Sequence, residues 1–421
     1  MTKIKYKPVK NTEIAKVVGK TEGAVRAAKK NNEELYNSYL EEFKLKTYPF
    51  ITIDEYVKFT NTSKALLQTK IDSKIIPALE TEIKDYRGNV VGKNTLVPYC
   101  ANKIEDLRDD YTFKASKVIS VTNRKGGVAK TTNAINIGTM AAMLGYNVLF
   151  IDYDTQANAS QSFGLRPKFE IEKNIIDLVL EVGKGAGRET VADNIFNLQK
   201  KLKTIGKFDV LPNSGDKETQ EKAINISKEL LMYSTSFKAL DMLIDLVRDD
   251  YDLIIIDTPP NDKDSLTMVT MATDYFIFSY KPDARSIDGI PMLFSNLKEE
   301  LEPIYKMHKK DTIKIIGGII SDYNPKINLN QDMAEQAEED FSNYIKKYNL
   351  PKEWTIFKQK IEHLQKFSKI QERLNLGSLI SPASLGEKLS VSETKAIRNY
   401  LDIVNELMER ILIDLYSKWK K

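Results

Sequence analysis

The stretch R-K-G-G-V-A-K-T-T, residues 124–132, has the residue types and spacing of a loop that binds phosphate groups. It follows a short β-branched run and precedes a helical pattern, so backbone N–H groups and a helix amino end should face the phosphates. We expect Lys130 to contact the β- and γ-phosphates, Thr131 to complete a Mg²⁺ shell, and Thr132 to lie near the α-phosphate. The alternative is a tight glycine turn with exposed lysines. The candidate nucleotide-binding residues are Lys125, Gly126, Gly127, Val128, Ala129, Lys130, Thr131 and Thr132.

Two aspartates supply the acidic groups that such a site needs. Asp154 follows the buried run V-L-F-I-D, and is a candidate to position the attacking water. Asp257 ends the run L-I-I-I-D, where a carboxylate can hold Mg²⁺ through a water molecule. Either aspartate alone could instead cap the following helix. Their combination with the loop predicts a nucleotide site.

The elements that must position these residues alternate along the chain after residue 116. Short apolar runs such as K-V-I-S-V-T-N and D-Y-F-I-F-S-Y are separated by longer amphipathic stretches. Continuous apolar runs are typical of strands buried on both faces of a parallel sheet. The fold class is therefore α/β, a mostly parallel sheet flanked by helices and preceded by a smaller helical domain. Polar residues at the strand ends mark the edge where ligands bind, namely Asn123, Asp152, Asp154, Asp257 and Asp322.

Composition sets the class of protein. The 421 residues include 63 basic and 59 acidic side chains, a net charge of +4, so any DNA binding must come from local clusters of charge. One cysteine, Cys100, excludes an intrachain disulfide and fits a reducing cytoplasm. No apolar run approaches the roughly 18 residues of a membrane span. We expect a cytosolic protein without a signal peptide.

The runs K-G-G-V-A-K-T-T, D-Y-D-T-Q and I-I-I-D-T-P-P, in this order, resemble the deviant Walker A ATPases, and most of all the ParA branch that segregates plasmids and chromosomes. The resemblance covers roughly residues 115–421. It implies ATP and Mg²⁺ as cofactors, catalytic roles for Lys125, Lys130 and Asp154, and Mg²⁺ contacts from Thr131 and Asp257. It also implies a homodimer that sandwiches two ATP molecules, in which Lys125 reaches the partner's nucleotide. Thr155 stands where the family usually has proline.

The stretch N-T-E-I-A-K-V-V-G-K-T-E-G-A-V-R-A-A-K-K predicts two short helices joined at Gly19. Small Ala15, the turn at Gly19 and apolar Val25 have the spacing of a helix-turn-helix. Candidate DNA-binding residues of this region, residues 1–45, are Lys20, Thr21, Arg26, Lys29 and Lys30. An ordinary helical hairpin with a solvated basic face is the alternative. Long members of the ParA branch carry such an extension and use it to bind an operator.

Residues 46–112 are interpreted either as a winged helix or as a linker. Thr52 can cap one helix, Thr62 or Ser63 the next, and a β-wing can form with Gly88 and Gly92 at its turns. The remaining residues, 113–421, are assigned to the ATPase domain.

Basic residues also cluster in T-I-F-K-Q-K-I-E-H-L-Q-K-F-S-K-I-Q-E-R, within a mixed helical pattern. In the ParA family, basic residues in this part of the fold bind DNA without sequence preference once the ATP dimer has formed. Solvated surface lysines are the alternative. The candidates are Lys358, Lys360, Lys366, Lys369 and Arg373. The last stretch, from Ser392, predicts a long amphipathic helix.

The leading hypothesis is a nucleoid-associated DNA-segregation ATPase and autorepressor, whose hydrolysis a ParB-like partner stimulates. One alternative is a MinD-like positioning ATPase that inserts its terminal helix into lipid, although the acidic residues of that helix argue against anionic membranes, so no membrane is expected. Another is a nucleotide-regulated transcription regulator. A reductase that resembles the nitrogenase iron protein is excluded, because no cysteine follows the phosphate loop.

Overall fold

The computed structural model describes residues 5–6, 9–60, 62–84, 90–101, 103–104, 116–165, 170–202, 204–260, 263–309, 311–363 and 388–419. The chain forms two compact units. One contains Met1–Thr112 and Leu379–Asn405, and the other contains Phe113–Ser378 and Glu406–Lys421. The first unit therefore includes a segment that the sequence alone assigned to the ATPase domain.

The amino-terminal unit combines short helices with an antiparallel sheet of strand order β2-β4-β3. A parallel pairing of β1 with β13 brings the late segment into this unit. Its elements are β1 (Lys5–Tyr6), α1 (Asn11–Val18), α2 (Glu22–Asn31), α3 (Glu33–Thr47), β2 (Phe50–Thr52), α4 (Ile53–Thr60), α5 (Lys64–Asp72), β3 (Leu79–Lys84), β4 (Val90–Pro98) and β13 (Lys388–Leu389).

Local sequence signals explain where these helices begin and end. Gly19 takes the left-handed backbone conformation, φ 67°, that closes α1. The Thr21 hydroxyl accepts a hydrogen bond from the Ala24 N–H and starts α2, and Ser63 does the same for α5. Thr52 and Glu55 form a capping box ahead of α4. Gly92, expected at a turn of the wing, lies inside β4 instead, and Gly88 lies outside the described residues.

One hydrophobic core joins the two regions that the sequence separated at residue 45. Ile14 and Val25, from the first region, belong to the same buried cluster as Leu67 and Val97, from the second. The late segment adds polar contacts to this unit, because the Asn405 amide reaches the Cys100 sulfur at 3.2 Å and the Arg398 guanidinium lies over the Tyr99 ring.

The second unit is built around an eight-stranded sheet of strand order β12-β11-β10-β5-β9-β6-β8-β7. All neighbouring strands are parallel except the edge pair β7 and β8. The strands are β5 (Lys117–Thr122), β6 (Val148–Asp152), β7 (Phe196–Asn197), β8 (Phe208–Leu211), β9 (Leu253–Asp257), β10 (Tyr275–Tyr280), β11 (Ile315–Tyr323) and β12 (Ile361–Glu362). The parallel α/β architecture predicted from the apolar runs is confirmed.

Helices cover the sheet. The first of them, α6, follows the phosphate loop and is buried along almost its whole length. A π-helical turn, Asn296–Leu301, lies between α15 and α16. The helices are α6 (Lys130–Met143), α7 (Asn158–Ser162), α8 (Ile175–Gly183), α9 (Arg188–Ala192), α10 (Gln199–Leu202), α11 (Lys217–Leu231), α12 (Ala239–Val247), α13 (Lys263–Ala272), α14 (Ala284–Ile287), α15 (Gly289–Ser295), α16 (Glu302–Lys309), α17 (Asn328–Lys347) and α18 (Val391–Trp419).

The predicted carboxyl-terminal helix is present as α18. Most of its described apolar residues, among them Leu401, Leu407 and Ile411, are buried in the protein, whereas Ile413 is exposed. Among the described residues, no helix is both long and apolar enough to cross a membrane. The helical pattern expected from Thr355 was wrong for its described part, which forms the short strand β12 because Ile361 pairs with Ser321 of β11.

Candidate nucleotide site

The loop between β5 and α6 has the backbone of a phosphate cradle. Gly127 and Ala129 both take left-handed conformations, with φ of 73° and 65°, which turn successive N–H groups to one side. This conformation is strained for Ala129, as it is for any residue with a Cβ atom, and such strain is typical of functional loops. No side chain caps the amino end of α6. The N–H groups of that end are therefore available for an anion.

Lys130 is the first residue of α6 and is almost completely buried. Its ammonium donates a hydrogen bond to the Lys125 carbonyl at 3.1 Å, which holds the side chain across the loop. Burial lowers the pKa of Lys130, and the nearby carboxylates Asp257 and Asp154 act in the opposite direction. Incoming phosphate charge is expected to raise the pKa of Lys130 again.

Two strand-end carboxylates lie beside the loop, because β6 and β9 are neighbours and pair Asp152 with Asp257 in register. Both carboxylates are fully buried, and burial raises the pKa of Asp152 to about 7 and that of Asp257 well above its ordinary value. Within the described part of the chain, one oxygen of Asp152 and both oxygens of Asp257 lie outside good hydrogen-bond geometry, although the Thr131 hydroxyl is close enough to Asp257 to lower its pKa against the larger effect of burial. Unsatisfied carboxylate oxygens in a buried site fit a hard cation such as Mg²⁺.

Asp154 lies on the loop after β6 with only 5% of its surface exposed. Its carboxylate accepts a hydrogen bond from the Gln156 N–H at 3.0 Å, which fixes the side chain within its own loop. Burial raises the pKa of Asp154, whereas the Gln156 N–H and Lys130 lower it. The residue expected to position water thus lies on the same side of the sheet as Lys130 and Asp257.

The Lys125 side chain forms an ion pair with Asp283, with Nζ 2.7 Å from Oδ1. The same Asp283 oxygen accepts the Ser286 N–H and caps α14. Both side chains of the pair are partly exposed. In this conformation the Lys125 side chain is paired with a carboxylate of its own subunit.

A buried polar network behind the loop was not found from the sequence. The Asn133 amide donates to the hydroxyls of Ser279 and Ser321 at 2.8 and 2.9 Å, and Ser279 in turn donates to the Val128 carbonyl. The Asn123 amide donates to the Ser279 carbonyl at 2.7 Å. These bonds tie the loop to the ends of β10 and β11. In the sequence, this network is indicated by an asparagine, Asn133, that lies one turn into a helix of small and apolar residues.

The amino-terminal candidates for DNA binding, Lys20, Thr21, Arg26, Lys29 and Lys30, are all exposed in the first unit, and Arg26 forms an ion pair with Glu22 of its own helix. Of the later basic residues, Lys358 is exposed. Lys360 forms an ion pair with Glu338 at 2.6 Å, which reduces the charge it can offer to DNA. Lys366, Lys369 and Arg373 lie outside the described residues.

The chain is similar in sequence to known proteins over its second unit. A family profile described as an AAA domain matches residues 116–314. An uncharacterized protein of Pseudomonas putida is 30% identical over 233 residues, which cover 54% of this chain and 77% of that protein. A Mycoplasma genitalium protein named as ParA family is 28% identical over 41% of this chain and 61% of its own length. The Chromosome-partitioning ATPase Soj of Treponema pallidum is 27% identical over 54% of this chain and 80% of its own length.

The chain belongs to the ParA family of P-loop ATPases. Its substrate and cofactor are ATP and Mg²⁺, as in P-loop ATPases generally. The family is one of partition and positioning ATPases.

Proposed function

We propose that this ParA-family ATPase segregates DNA as an ATP-dependent sandwich dimer. ATP closes the dimer, the dimer binds DNA without sequence preference, and a ParB-like partner stimulates hydrolysis and release in the cytoplasm. The observation that carries the proposal is the convergence of Lys130, Asp154 and Asp257 at one edge of the sheet, with Lys125 placed outside the cradle. Because one subunit supplies the phosphate-binding loop and its acidic residues by itself, Lys125 is not needed there and can act on the nucleotide of a second subunit.

Within one subunit, the chain's own groups bind and orient the triphosphate. The loop N–H groups hold phosphate oxygens, and Lys130 lies close enough to the carboxylates to remain fixed while it contacts the β- and γ-phosphates. Thr131 and Asp257 are the residues that would hold the metal, Asp257 through water. Bound Mg²⁺ neutralises charge that develops on the phosphates.

Asp154 is assigned to orient the attacking water. Phosphoryl transfer needs little covalent chemistry from the protein, so the position of the water in line with the γ-phosphate matters most. Among the residues that the structure describes, the carboxylate of Asp154 accepts a hydrogen bond through Oδ1 from the Gln156 N–H. Its other oxygen can accept a hydrogen bond from the water.

Lys125 is assigned to the partner's nucleotide. A cation positioned against transferring phosphate stabilises the charge of the transition state, as an arginine finger does. ATP offers more charge than ADP, so a lysine satisfied across the interface couples dimer closure to nucleotide state. This assignment makes the dimer the hydrolytic and DNA-binding form.

Retention on a non-specific DNA duplex, at near-physiological salt, tests the DNA switch. We expect strong retention with ATP and little with ADP or without nucleotide, because only the ATP dimer presents two basic surfaces together. The Lys130→Ala variant, which cannot hold the phosphates, is the matched control and is expected to stay unbound under all conditions. Anionic liposomes serve as the comparison surface. Binding to liposomes alone favours a positioning ATPase, and DNA binding that ignores nucleotide favours a plain regulator.

We further propose that the amino-terminal unit binds an operator and represses the protein's own gene. Its helix α2 exposes Arg26 and Lys30 beside small residues, Gly23 and Ala24, that allow close approach to a groove. Thr21 holds the amino end of that helix.

The double variant Arg26→Ala/Lys30→Ala is expected to bind DNA from upstream of its own coding sequence about tenfold more weakly. The slope of log affinity against log salt should fall by about 2, because two phosphate contacts are lost. Fluorescence anisotropy over a salt series measures both. Lys58→Ala removes an exposed lysine of the same unit that is paired with Glu41, and it should change neither quantity. An unchanged salt slope in the double variant contradicts a DNA role for α2.

A further inference from the structure

The loop that carries Asp154 requires support from outside itself. Ala157 takes a left-handed conformation, φ 53°, which is strained for a residue with a Cβ atom. Such conformations persist only where surrounding structure determines them. The Ala157 N–H donates to the Asp154 carbonyl at 2.8 Å, so the strained turn and Asp154 move together.

Ser160, three residues after Ala157 and within α7, connects this loop to the rest of the site. Its hydroxyl donates to the Asp152 carboxylate at 2.7 Å and accepts the Asn213 backbone N–H at 2.9 Å. Its own N–H donates to the same Asp152 oxygen. All three side chains are fully buried. One hydroxyl thus joins the end of β6, the start of α7 and the loop after β8.

The loop after β8 also packs against the loop that carries Asp154. Gly215 has φ 70°, and a Cβ atom added there would lie 3.0 Å from the Ala157 Cβ and 3.2 Å from the Gln156 carbonyl oxygen. Both distances are shorter than ordinary contacts. The backbone of this loop therefore packs directly against the turn that holds Asp154.

We propose that Ser160 is a positioning residue for ATP hydrolysis, and that it fixes Asp154 by locking its loop against residues 213–215. The proposal rests on the proposed role of Asp154. It concerns orientation alone, because Ser160 is bonded to Asp152 and Asn213 and contributes no group to the phosphate cradle.

Steady-state kinetics of the full-length protein test this role. Ser160→Ala is expected to lower kcat about tenfold or more with KM within about twofold, because a displaced water-orienting group slows chemistry without weakening binding. Hydrogen exchange of the 153–160 segment should accelerate in the same variant. In an Asp154→Ala background, Ser160→Ala should leave the residual rate unchanged, since its effect passes through Asp154.

A second variant perturbs the same loop without removing a hydrogen bond. Gly215→Ala forces the Asp154 turn to shift and is also expected to lower kcat with KM preserved. Gly185→Ala is its matched control, because Gly185 also has positive φ, 109°, but has no neighbouring atom within 4 Å where a Cβ atom would be added. It should share the backbone strain and keep kcat.

The outcomes distinguish the positioning role of Ser160 from the water-orienting role of Asp154. A wild-type kcat in Ser160→Ala, or an equal fractional loss in the wild-type and Asp154→Ala backgrounds, overturns the positioning role. Wild-type turnover in Asp154→Ala alone instead contradicts the proposed function of Asp154. Thermal melting shows whether each variant is folded. If Ser160→Ala does not fold, Gly215→Ala still tests whether displacement of the Asp154 loop lowers kcat.

Discussion

Replacement of Asp154 by alanine is expected to lower kcat for ATP hydrolysis about 100-fold or more, with ATP binding retained. General-base and water-orienting groups contribute effects of this size. The phosphate cradle does not depend on Asp154, whose described hydrogen bond is with Gln156 of its own loop. Phosphate release measured under single-turnover conditions gives the rate of chemistry, and equilibrium binding of a fluorescent ATP analogue gives the affinity.

The same substitution should leave the fold intact. Burial raises the pKa of Asp154, which means that the folded protein holds this carboxylate at a cost, and its removal relieves that cost. Asp154→Asn is the matched variant, because it keeps the shape and an oxygen for the Gln156 N–H but loses the negative charge. We expect it to be nearly as slow as Asp154→Ala. Turnover at the wild-type rate in either variant excludes Asp154 as the water-orienting residue.

Much of the second unit could be predicted from local sequence. Runs such as L-I-I-I-D are short and apolar without alternation, which is typical of strands covered on both faces, so in alternation with longer amphipathic stretches they predict a parallel sheet. Parallel strands also share one carboxyl edge. Asp154 and Asp257 lie beside the loop because β9 pairs with both β5 and β6, an order of strands that the apolar runs do not reveal.

The partners of the loop residues could not be predicted in the same way. Asp283, which pairs with Lys125, is 158 residues away in sequence and lies after a different strand. The Asn133 network joins α6 to β10 and β11, and Ser160 joins α7 to the loop after β8. These contacts depend on which strands are neighbours and on their register, and strand-end residue types carry no information about either.

In the amino-terminal unit, helix boundaries followed the capping residues, because a hydroxyl at Thr21, Thr52 or Ser63 satisfies N–H groups within three residues. The sequence did not show whether residues 1–45 and 46–112 form one hydrophobic core or two. Val25 and Leu67 are apolar in either case, and only the structure shows that they belong to the same core. Gly92 was placed in a turn because glycine is common there, but the pairing of β3 with β4 decides its conformation.

Lys125→Ala is expected to abolish ATP-dependent dimerisation while the monomer still binds ATP. Truncation of one partner of a buried charge pair costs about 2–5 kcal/mol, so the dimer dissociation constant should rise about 30-fold or more. Lys130 and the loop N–H groups remain in each subunit, so nucleotide affinity should change little. Sedimentation velocity with a non-hydrolysable ATP analogue and Mg²⁺ measures the dimer. Arg124→Ala removes the adjacent basic side chain and serves as the control that should still dimerise.

Replacement of Asp283, the partner of Lys125 in the ion pair, is expected to affect dimerisation in the opposite direction from Lys125→Ala. Lys125 must leave Asp283 before it can reach another subunit, and a partly exposed pair of this kind is worth about 0–1 kcal/mol. Asp283→Asn keeps an oxygen to cap α14 but releases the lysine. We expect it to tighten the ATP dimer by up to about fivefold and to have no effect in a Lys125→Ala background. Equal tightening in both backgrounds would show that Asp283 acts on the dimer by another route, and a normal dimer in Lys125→Ala would show that the lysine has no task across the interface.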